Sequence, residues 1–291
     1  MEALEHLPVQ NWAGPLPPEI SSRAVNALED GKILLAPALS FELLPAEQRF
    51  LSTGFLSGKS KNISFNPATK SLGGTECTGQ DKEELTAMLR RFSEQAVALI
   101  RALCPPYEQQ LALGLTSFRP AEISGRAASW RKDDTRLHVD AFPSRPSNGK
   151  RILRLFANVN QSMPRVWRAG EPFENAARKL LPRVRAPFPG ALSLMAGLRI
   201  TKGRRSLYDH YMLGLHDAMK SDTRYQAESP QARIEFAPGA VWACFTDCVS
   251  HAAMSGQYAF EQTFYLPVNA MAVPARSPLR ILESIVSRPL A

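Results

Sequence analysis

The chain has 291 residues, of which 44% are hydrophobic and 21% charged, a composition typical of a folded globular protein. A chain of this length buries roughly three quarters of its unfolded surface, so a large core is expected. No apolar run reaches the roughly 18 residues that span a bilayer. The N-terminus, MEALEHLPVQ, lacks the basic start and apolar stretch of a secretory signal. These features predict a cytoplasmic protein.

The net charge of +8 favours an anionic partner, because a positive field attracts phosphorylated or carboxylated substrates and acidic lipid surfaces. No nucleic acid partner is predicted, since the Arg and Lys residues are dispersed and no nucleic-acid-binding motif is present. The cysteines are too few for a disulfide framework and offer no second pair to complete a zinc site. Reduced, buried thiols are predicted at Cys77, Cys104, Cys244 and Cys248.

Three helices are predicted, while residues 1–80 are rich in Pro and Gly and contain one short strand, Lys32–Ala36. Apolar residues at three- and four-residue spacing predict a packing helix over Asp81–Leu103. A second helix is predicted over Ser206–Met219, and a short amphipathic helix over Leu279–Val286.

The second predicted helix carries two histidines, His210 and His216. Because they are six residues apart, they lie on opposite sides of a helix and cannot both bind one ion from it. His216 lies near the apolar face, which favours a buried histidine over a substrate contact.

From Leu111 onward the pattern changes to short strands that are separated by turns such as Pro189-Gly190 and Pro238-Gly239. Short strands with few intervening helices favour an antiparallel sandwich or barrel. The predicted strands are Thr135–Phe142, Arg151–Val159, Ala191–Ile200, Arg233–Phe236, Ala240–Phe245 and Phe260–Leu266.

Several common catalytic motifs are absent. Gly58-Lys59-Ser60 resembles the end of a phosphate-binding loop, but Thr53 stands where that motif needs its first glycine. The sequence also has no GxGxxG, GxSxG or HExxH, which argues against the commonest nucleotide-binding, serine-hydrolase and zinc-protease sites.

A candidate metal site begins with His138-Val139-Asp140, in a predicted strand. Side chains two apart on a strand point to the same face, so the imidazole and the carboxylate can reach one ion. A chain with 5 His and 27 acidic residues often contains this pattern by chance, so a second feature is needed.

The second feature is His251, which ends a short loop after the predicted strand Ala240–Phe245 and is followed by Gly256 and the strand Phe260–Leu266. This order of turn, strand, histidine, glycine and strand is typical of a double-stranded β-helix. Two histidines and one carboxylate occupy one face of an octahedral Fe(II) ion and leave three positions open. We therefore predict a metal site at His138, Asp140 and His251.

With these motifs, residues 111–270 resemble the Fe(II)/2-oxoglutarate-dependent dioxygenases. The resemblance implies an α+β, mainly β fold with a double-stranded β-helix (jelly-roll) core and flanking helices. It also implies Fe(II), 2-oxoglutarate and O₂ as cofactor and cosubstrates. An Asp at position 140 is typical of the hydroxylating members. One domain is predicted over 1–291, with an N-terminal extension (1–110) containing the packing helix (81–103), a core (111–270) with an insertion (160–230), and a tail (271–291).

The chain departs from that family at the cation that pairs with 2-oxoglutarate. Many members carry an Arg ten or eleven residues after the second histidine, but Gln262 stands there. Relatives that take the cation from the strand after the first histidine point to Arg154 or Arg151, which lie on opposite faces of that strand. Arg154 is favoured because it shares its face with Phe156, and Gln262 is expected to assist by hydrogen bonding.

Longer strings resemble the Kdo 3-hydroxylase family, which oxidises carbon 3 of 3-deoxy-D-manno-oct-2-ulosonic acid in lipopolysaccharide. They are Leu137–Pro146, Tyr208–Lys220, Phe245–Tyr258 and Glu261–Pro267. The resemblance implies an anionic glycolipid substrate, Kdo-lipid A, and release of succinate and CO₂. The Arg-rich segment Arg165–Arg185 and the net charge of +8 suit such a substrate. The amphipathic tail suits contact with the cytoplasmic face of the inner membrane, although packing on the core is its favoured role.

Three alternatives stay open at this point. A dioxygenase of the same chemistry could act on a protein side chain or a small metabolite. A cupin without oxygen chemistry is disfavoured, because cupin sites generally use three histidines and a glutamate. The third alternative is a β-sandwich that is not an enzyme.

Overall fold

The computed structural model describes residues 3–58, 60–125, 128–143, 145–188 and 205–291. The predicted strand Ala191–Ile200 lies outside these residues. The helices are α1 (Pro18–Glu29), α2 (Gly79–Leu103), α3 (Phe173–Leu180), α4 (Leu207–Ser221), α5 (Thr223–Glu228) and α6 (Pro278–Val286). The strands are β1 (Leu4–His6), β2 (Ile33–Ala36), β3 (Ile63–Asn66), β4 (Ser71–Gly73), β5 (Ala112–Arg119), β6 (Arg151–Asn158), β7 (Arg165–Gly170), β8 (Gln231–Phe236), β9 (Val241–Phe245), β10 (His251–Ser255) and β11 (Ala259–Leu266).

The strands form two sheets. The larger sheet has the order β1-β2-β9-β6-β11-β5-β3-β4, and the smaller has the order β10-β7-β8. All pairs are antiparallel except β1 with β2. Sheets built from antiparallel neighbours, with helices on one side, agree with the predicted α+β, mainly β class.

The two sheets pack face to face, and the opposite face of the larger sheet packs against α1 and α2. A buried apolar cluster between the sheets combines Phe156 and Trp242 of the larger sheet with Trp167 and Phe236 of the smaller one. A second cluster, on the helix side of the larger sheet, includes Leu28, Phe92, Leu153, Leu155 and Phe260. Since successive residues on a strand point to opposite faces, each central strand presents one row of side chains to the space between the sheets.

The predicted helices are confirmed with shifts of one or two residues at their ends. Helix α2 begins at Gly79, α4 begins after the N-cap Ser206, whose hydroxyl accepts from the Asp209 N–H, and α6 begins at Pro278. In α6, Leu279 and Leu282 are buried and Ile281, Ile285 and Val286 pack partly against the core. The apolar residues of the tail therefore pack on the protein. No described helix is long and apolar enough to cross a bilayer.

The predicted strand Thr135–Phe142 is wrong as a regular strand. Only His138 takes part in a β-bridge, with His251. The segment still runs antiparallel to the chain around β10, because Asp140 donates to Thr246 O at 2.8 Å and Ala253 donates to Asp134 O at 2.8 Å. These contacts are spaced too irregularly for a ladder, although the alternation of side chains persists.

A buried ion pair fixes the loop that precedes β10. Arg151, at the start of β6, is fully buried; its Nε donates to Asp247 Oδ2 at 2.8 Å and its Nη2 to Asp247 Oδ1 at 3.3 Å. The guanidinium carbon also lies 3.9 Å from the ring centroid of Phe245. Because a bidentate arginine–carboxylate pair has a defined geometry, it holds the chain between β9 and His251 against β6.

We expect Asp247→Ala to lower the free energy of unfolding by about 3–5 kcal/mol, because it leaves the buried Arg151 charge without its partner. Urea denaturation measures this change. The matched control is Glu235→Ala, which removes an exposed ion pair with Arg233 and should cost no more than about 1 kcal/mol. Equal losses for the two variants would contradict a stabilising role for the buried pair.

Candidate active site

The structure brings His138, Asp140 and His251 together. One donor atom of each residue lies within 4.8 Å of those of the other two, and all three residues are buried. The His138 Nε2 and Asp140 Oδ1 atoms are 4.0 Å apart. The neighbours Leu137 and Val139 are fully buried in the apolar core. The core therefore determines which face of this segment carries the imidazole and the carboxylate.

Two reciprocal backbone hydrogen bonds place the histidines side by side. The His138 N–H donates to His251 O at 3.0 Å, and the His251 N–H donates to His138 O at 2.9 Å. As a result the two imidazole centroids are only 4.7 Å apart.

The orientation of both imidazoles suits a metal ion. His138 Nδ1 lies 2.7 Å from Arg136 O, and His251 Nδ1 lies 2.8 Å from Val249 O. A carbonyl oxygen can only accept, so each Nδ1 carries the proton and each Nε2 keeps a free lone pair. A backbone carbonyl behind a ligating histidine is a common device for fixing ring and tautomer. Trp167 stacks on His251 with centroids 5.1 Å apart and holds that ring from the other side.

The electrostatics keep the triad ready to bind a cation. Burial lowers the pKa of His138 and of His251, and the neighbouring His251 lowers the pKa of His138 further. Burial alone would raise the pKa of Asp140, but Arg154 and the two imidazoles outweigh it and bring the pKa below its usual range. Two neutral imidazoles and an ionised carboxylate form a donor set that fits Fe(II).

The triad opens into a cavity of about 250 Å³ between the two sheets. One wall is formed by the sheets and carries Arg119, Arg154, Arg165 and Glu261; the other is formed by α4 and carries His216 and Lys220. The cavity is therefore lined by several cations beside one metal-binding triad.

Three arginines of the sheet wall surround one glutamate. Arg119 Nη2 lies 2.8 Å from Glu261 Oε2, and Arg154 Nη1 lies 3.4 Å from Glu261 Oε1 and 3.1 Å from Asp140 Oδ2. Although burial opposes it, the two guanidinium groups lower the pKa of Glu261. Arginine thus outnumbers carboxylate on this wall.

Arg165 is the arginine of this wall that lacks an ion pair. It is 5% exposed, and Nη1 donates to Gly256 O at 2.6 Å. Within the described residues, no carboxylate oxygen lies within 4.0 Å of its guanidinium nitrogens. Burial, followed by the charge of Arg119, lowers the pKa of Arg165 to about 9. A buried guanidinium without a counter-charge is costly unless an anion binds beside it.

Comparison with known proteins decides the family. Residues 11–289 match the family model described as 3-deoxy-D-manno-oct-2-ulosonic acid (Kdo) hydroxylase. The chain belongs to the Kdo hydroxylase family.

Solved structures of the Kdo hydroxylase KdoO, described as a non-heme Fe(II) alphaketoglutarate-dependent dioxygenase, are similar over nearly the whole chain. The complex with alphaketoglutarate and Fe(III) is 46% identical, with a TM-score of 0.96 and coverage of 99% of this chain and 97% of that chain. The complexes with cobalt(II) and with succinate and Fe(III) are 47% and 46% identical at the same coverage, with TM-scores of 0.97 and 0.95. No curated protein sequence gives a match.

These comparisons confirm the predicted family, the mainly β jelly-roll fold of the dioxygenases, and the class of enzyme. In the Kdo hydroxylase family, iron and alphaketoglutarate are bound in the KdoO structures. The predicted use of Fe(II) and 2-oxoglutarate agrees with them.

The three residues predicted to bind 2-oxoglutarate lie on different sides of the sheet. Arg154 lines the cavity. Arg151 points to the helix side and is bound to Asp247. Gln262 is fully buried on the same side, where its Oε1 accepts from Thr116 Oγ1 at 2.6 Å. Arg151 and Arg154 therefore lie on opposite faces, as the strand periodicity predicts, and neither Arg151 nor Gln262 reaches the cavity.

The two histidines of α4 also separate as predicted. His210 Nε2 contacts Arg185 O at 2.8 Å. His216 lines the cavity; its ring centroid is 5.4 Å from that of His138, and its Nδ1 lies 3.0 Å from Asp217 Oδ1.

Sequence reasoning missed six charged residues of the cavity: Arg119, Arg131, Asp134, Arg165, Lys220 and Glu261. Arg165 could have been found from its spacing, because it lies two residues before Trp167 and side chains two apart on a strand share one face. Lys220 could have been found from its spacing of four residues after His216, which gives one face of a helix.

We expect Asp140→Ala and His251→Ala each to weaken Co(II) binding by about 100-fold or more, since even partners behind the ligands contribute about 10–100-fold. Calorimetric titration of the metal-free protein measures this. His210→Ala, which removes a histidine outside the cavity, is the control and should bind Co(II) like the unmodified protein. Unchanged affinity in the two triad variants would contradict the assignment of these side chains as ligands.

Proposed function

We propose that this protein hydroxylates carbon 3 of Kdo in a Kdo-containing glycolipid, with Fe(II), 2-oxoglutarate and O₂, releasing succinate and CO₂. The observation that carries the proposal is the convergence of His138, Asp140 and His251 beside a cationic cavity wall, in a chain of the Kdo hydroxylase family.

His138, Asp140 and His251 would hold the metal ion. When bound, Fe(II) with 2-oxoglutarate and O₂ supplies the oxidising power that replaces a C–H bond by C–OH. The triad faces the cavity, and the carbonyls of Arg136 and Val249 keep each Nε2 unprotonated, so that it could bind a metal ion.

The sheet wall supplies the counter-charge for 2-oxoglutarate. Arg119, Arg154 and Arg165 face the two carboxylates of Glu261 and Asp140, so one positive charge remains for the carboxylate of 2-oxoglutarate that does not bind the metal. Arg165 has no carboxylate partner among the described residues, which leaves its guanidinium available for bidentate binding. Arg154 contacts both Asp140 and Glu261 and lies between the triad and this charge cluster. We infer that Arg165 and Arg154 together bind the cosubstrate.

The proposed substrate is a glycolipid with several negative groups. The family name specifies Kdo, an acid, and the net charge of +8 favours a substrate with several negative groups. Contact with an anionic membrane surface is supported by Arg183 and Arg185 beside Phe188, which is 85% exposed. Helix α6 is not part of this surface, because its apolar residues pack on the protein.

We expect Arg165→Met to raise the KM for 2-oxoglutarate by about 10- to 100-fold, the range of one charge-assisted contact, while Co(II) binding is retained. Arg154→Met should raise this KM and also weaken metal binding, because Arg154 contacts Asp140. Succinate release against 2-oxoglutarate concentration gives the KM. Arg233→Met, on an exposed pair of β8, should leave it within about twofold. Equal KM values for Arg165→Met and Arg233→Met would refute the assignment of Arg165 as a binding residue for 2-oxoglutarate.

The function itself is tested by mass spectrometry of Kdo-lipid A after incubation with protein, Fe(II), 2-oxoglutarate and O₂. We expect one added oxygen on a Kdo residue and one succinate per hydroxylation. Presenting the glycolipid in anionic vesicles and in neutral detergent micelles tests the membrane contact, which should make the vesicle reaction faster. An unchanged Kdo mass together with turnover of 2-oxoglutarate would favour the alternative substrates, a protein side chain or a small metabolite.

A further inference from the structure

The cavity has a second cationic wall, opposite the arginine cluster. Helix α4 presents His216 and Lys220, which are four residues apart and therefore lie on one face, to the cavity. The ring of His216 lies edge-on to the ring of His138. The triad thus lies between the arginines of the sheets and the lysine of the helix.

Lys220 is 2% exposed, although lysine is almost never fully buried unless it is paired. Its Nζ donates to Arg131 O at 3.1 Å. Within the described ranges, no carboxylate oxygen lies within 4.0 Å of this Nζ. An ammonium group has three donors, so two hydrogens remain for another acceptor in the cavity.

A purely structural role does not explain this placement. A lysine in the last turn of a helix commonly interacts with the terminal carbonyls of that helix. Here the Lys220 carbonyl already accepts from Arg136 Nη1 at 2.8 Å, and Lys220 Nζ points away to Arg131 and the cavity. Burial lowers the pKa of Lys220, and the carboxylates of Asp134, Asp140 and Asp133, none of which forms an ion pair with it, oppose this effect. The side chain is costly where it lies and becomes favourable when an anion binds.

We propose that Lys220 binds the carboxylate of the Kdo substrate and is a specificity-determining residue of this site. The inference rests on the proposed function. The arginine wall offers the unpaired Arg165 to 2-oxoglutarate, which leaves Lys220 for the second anion that enters the cavity. In an oct-2-ulosonic acid the carboxylate carbon is C1, so carbon 3 is only two bonds away from it. A cation that holds the carboxylate therefore also positions the carbon to be hydroxylated.

The experiment compares Lys220→Met and Lys220→Arg with the unmodified protein on Kdo-lipid A and on its Kdo methyl ester, which lacks the negative charge. Removal of an unpaired buried charge should leave the protein folded. We expect Lys220→Met to raise the KM for Kdo-lipid A by about 10- to 100-fold, to leave the KM for 2-oxoglutarate within about twofold, and to increase succinate release without hydroxylation. Lys220→Arg should recover part of the affinity.

The ester separates recognition of the carboxylate from a structural effect. The unmodified protein and Lys220→Met should use the ester equally poorly, because the contact is absent in both. Lys132→Met, which removes an exposed lysine from the same side of the molecule, controls for a general loss of positive charge and should behave like the unmodified protein.

If Lys220→Met raised the KM for the ester as much as the KM for the acid, or raised the KM for 2-oxoglutarate by the same factor, the proposed role of Lys220 would be overturned. If the unmodified protein does not hydroxylate Kdo at all, the proposed function fails instead. Calorimetric binding of Kdo-lipid A without O₂ gives a second readout, in which Lys220→Met should bind at least about tenfold more weakly.

Discussion

The active site depends on one pair of backbone hydrogen bonds, between His138 and His251. The two residues are far apart in the chain, yet the exchange of N–H and carbonyl contacts places their imidazoles on one side of the chain. Asp140 joins them because it follows His138 at the two-residue period of an extended segment. A shift of this pairing by one residue would put Val139 in the site and Asp140 in the core. The apolar burial of Leu137 and Val139 opposes that shift.

The buried charges of the two sheets fall into two groups that differ in the ratio of cations to carboxylates. On the helix side, Arg151 is matched by Asp247 alone, in a closed bidentate pair. On the cavity side, three arginines face Glu261 and Asp140, and Lys220 on the opposite wall has no ion pair among the described residues. A balanced pair fixes the conformation of the chain, whereas an excess of buried cations requires an external anion. Charge balance therefore distinguishes the structural Arg151 from the binding Arg154, which lie on opposite faces of β6.

The sequence was sufficient to predict the elements with strong periodicity and the triad. Helix α2 follows from its apolar spacing. The three metal-binding candidates follow from a His-x-Asp segment and a histidine placed between two strands. The strands β1, β3, β4, β5, β7 and β10 were missed. In β5 and β7, polar residues such as Thr116 and Arg165 occupy buried positions and interrupt the apolar alternation. These are the positions where the cavity wall is built.

The anchor for 2-oxoglutarate could not be predicted from spacing, because the usual position holds Gln262 and that residue faces the helices. Its neighbour Glu261 faces the cavity and pairs with Arg119 of the adjacent strand. Arg165 is positioned by the close approach of β7 to Gly256, whose φ of +105° favours glycine. A Cβ there would lie 3.0 Å from the Cα of Arg165. The glycine after the second histidine thus permits the contact that positions the buried arginine, which a linear motif does not reveal.

Binding of the metal and of the anions should be coupled through Arg154. This guanidinium contacts Oδ2 of Asp140 and also Glu261, so it orients the carboxylate of the triad and leaves Oδ1, which lies 4.0 Å from His138 Nε2, for a metal ion. An anion that binds Arg154 at the arginine wall would hold the guanidinium in this position, and with it the metal-binding carboxylate. Coupling of this kind is reciprocal, because each ligand must favour the other by the same free energy. The unfavourable burial of Arg165 and Lys220 in the free protein adds to this effect, since both charges are neutralised only when the cavity is filled. The residues that lower the stability of the empty site are therefore those that favour its occupation.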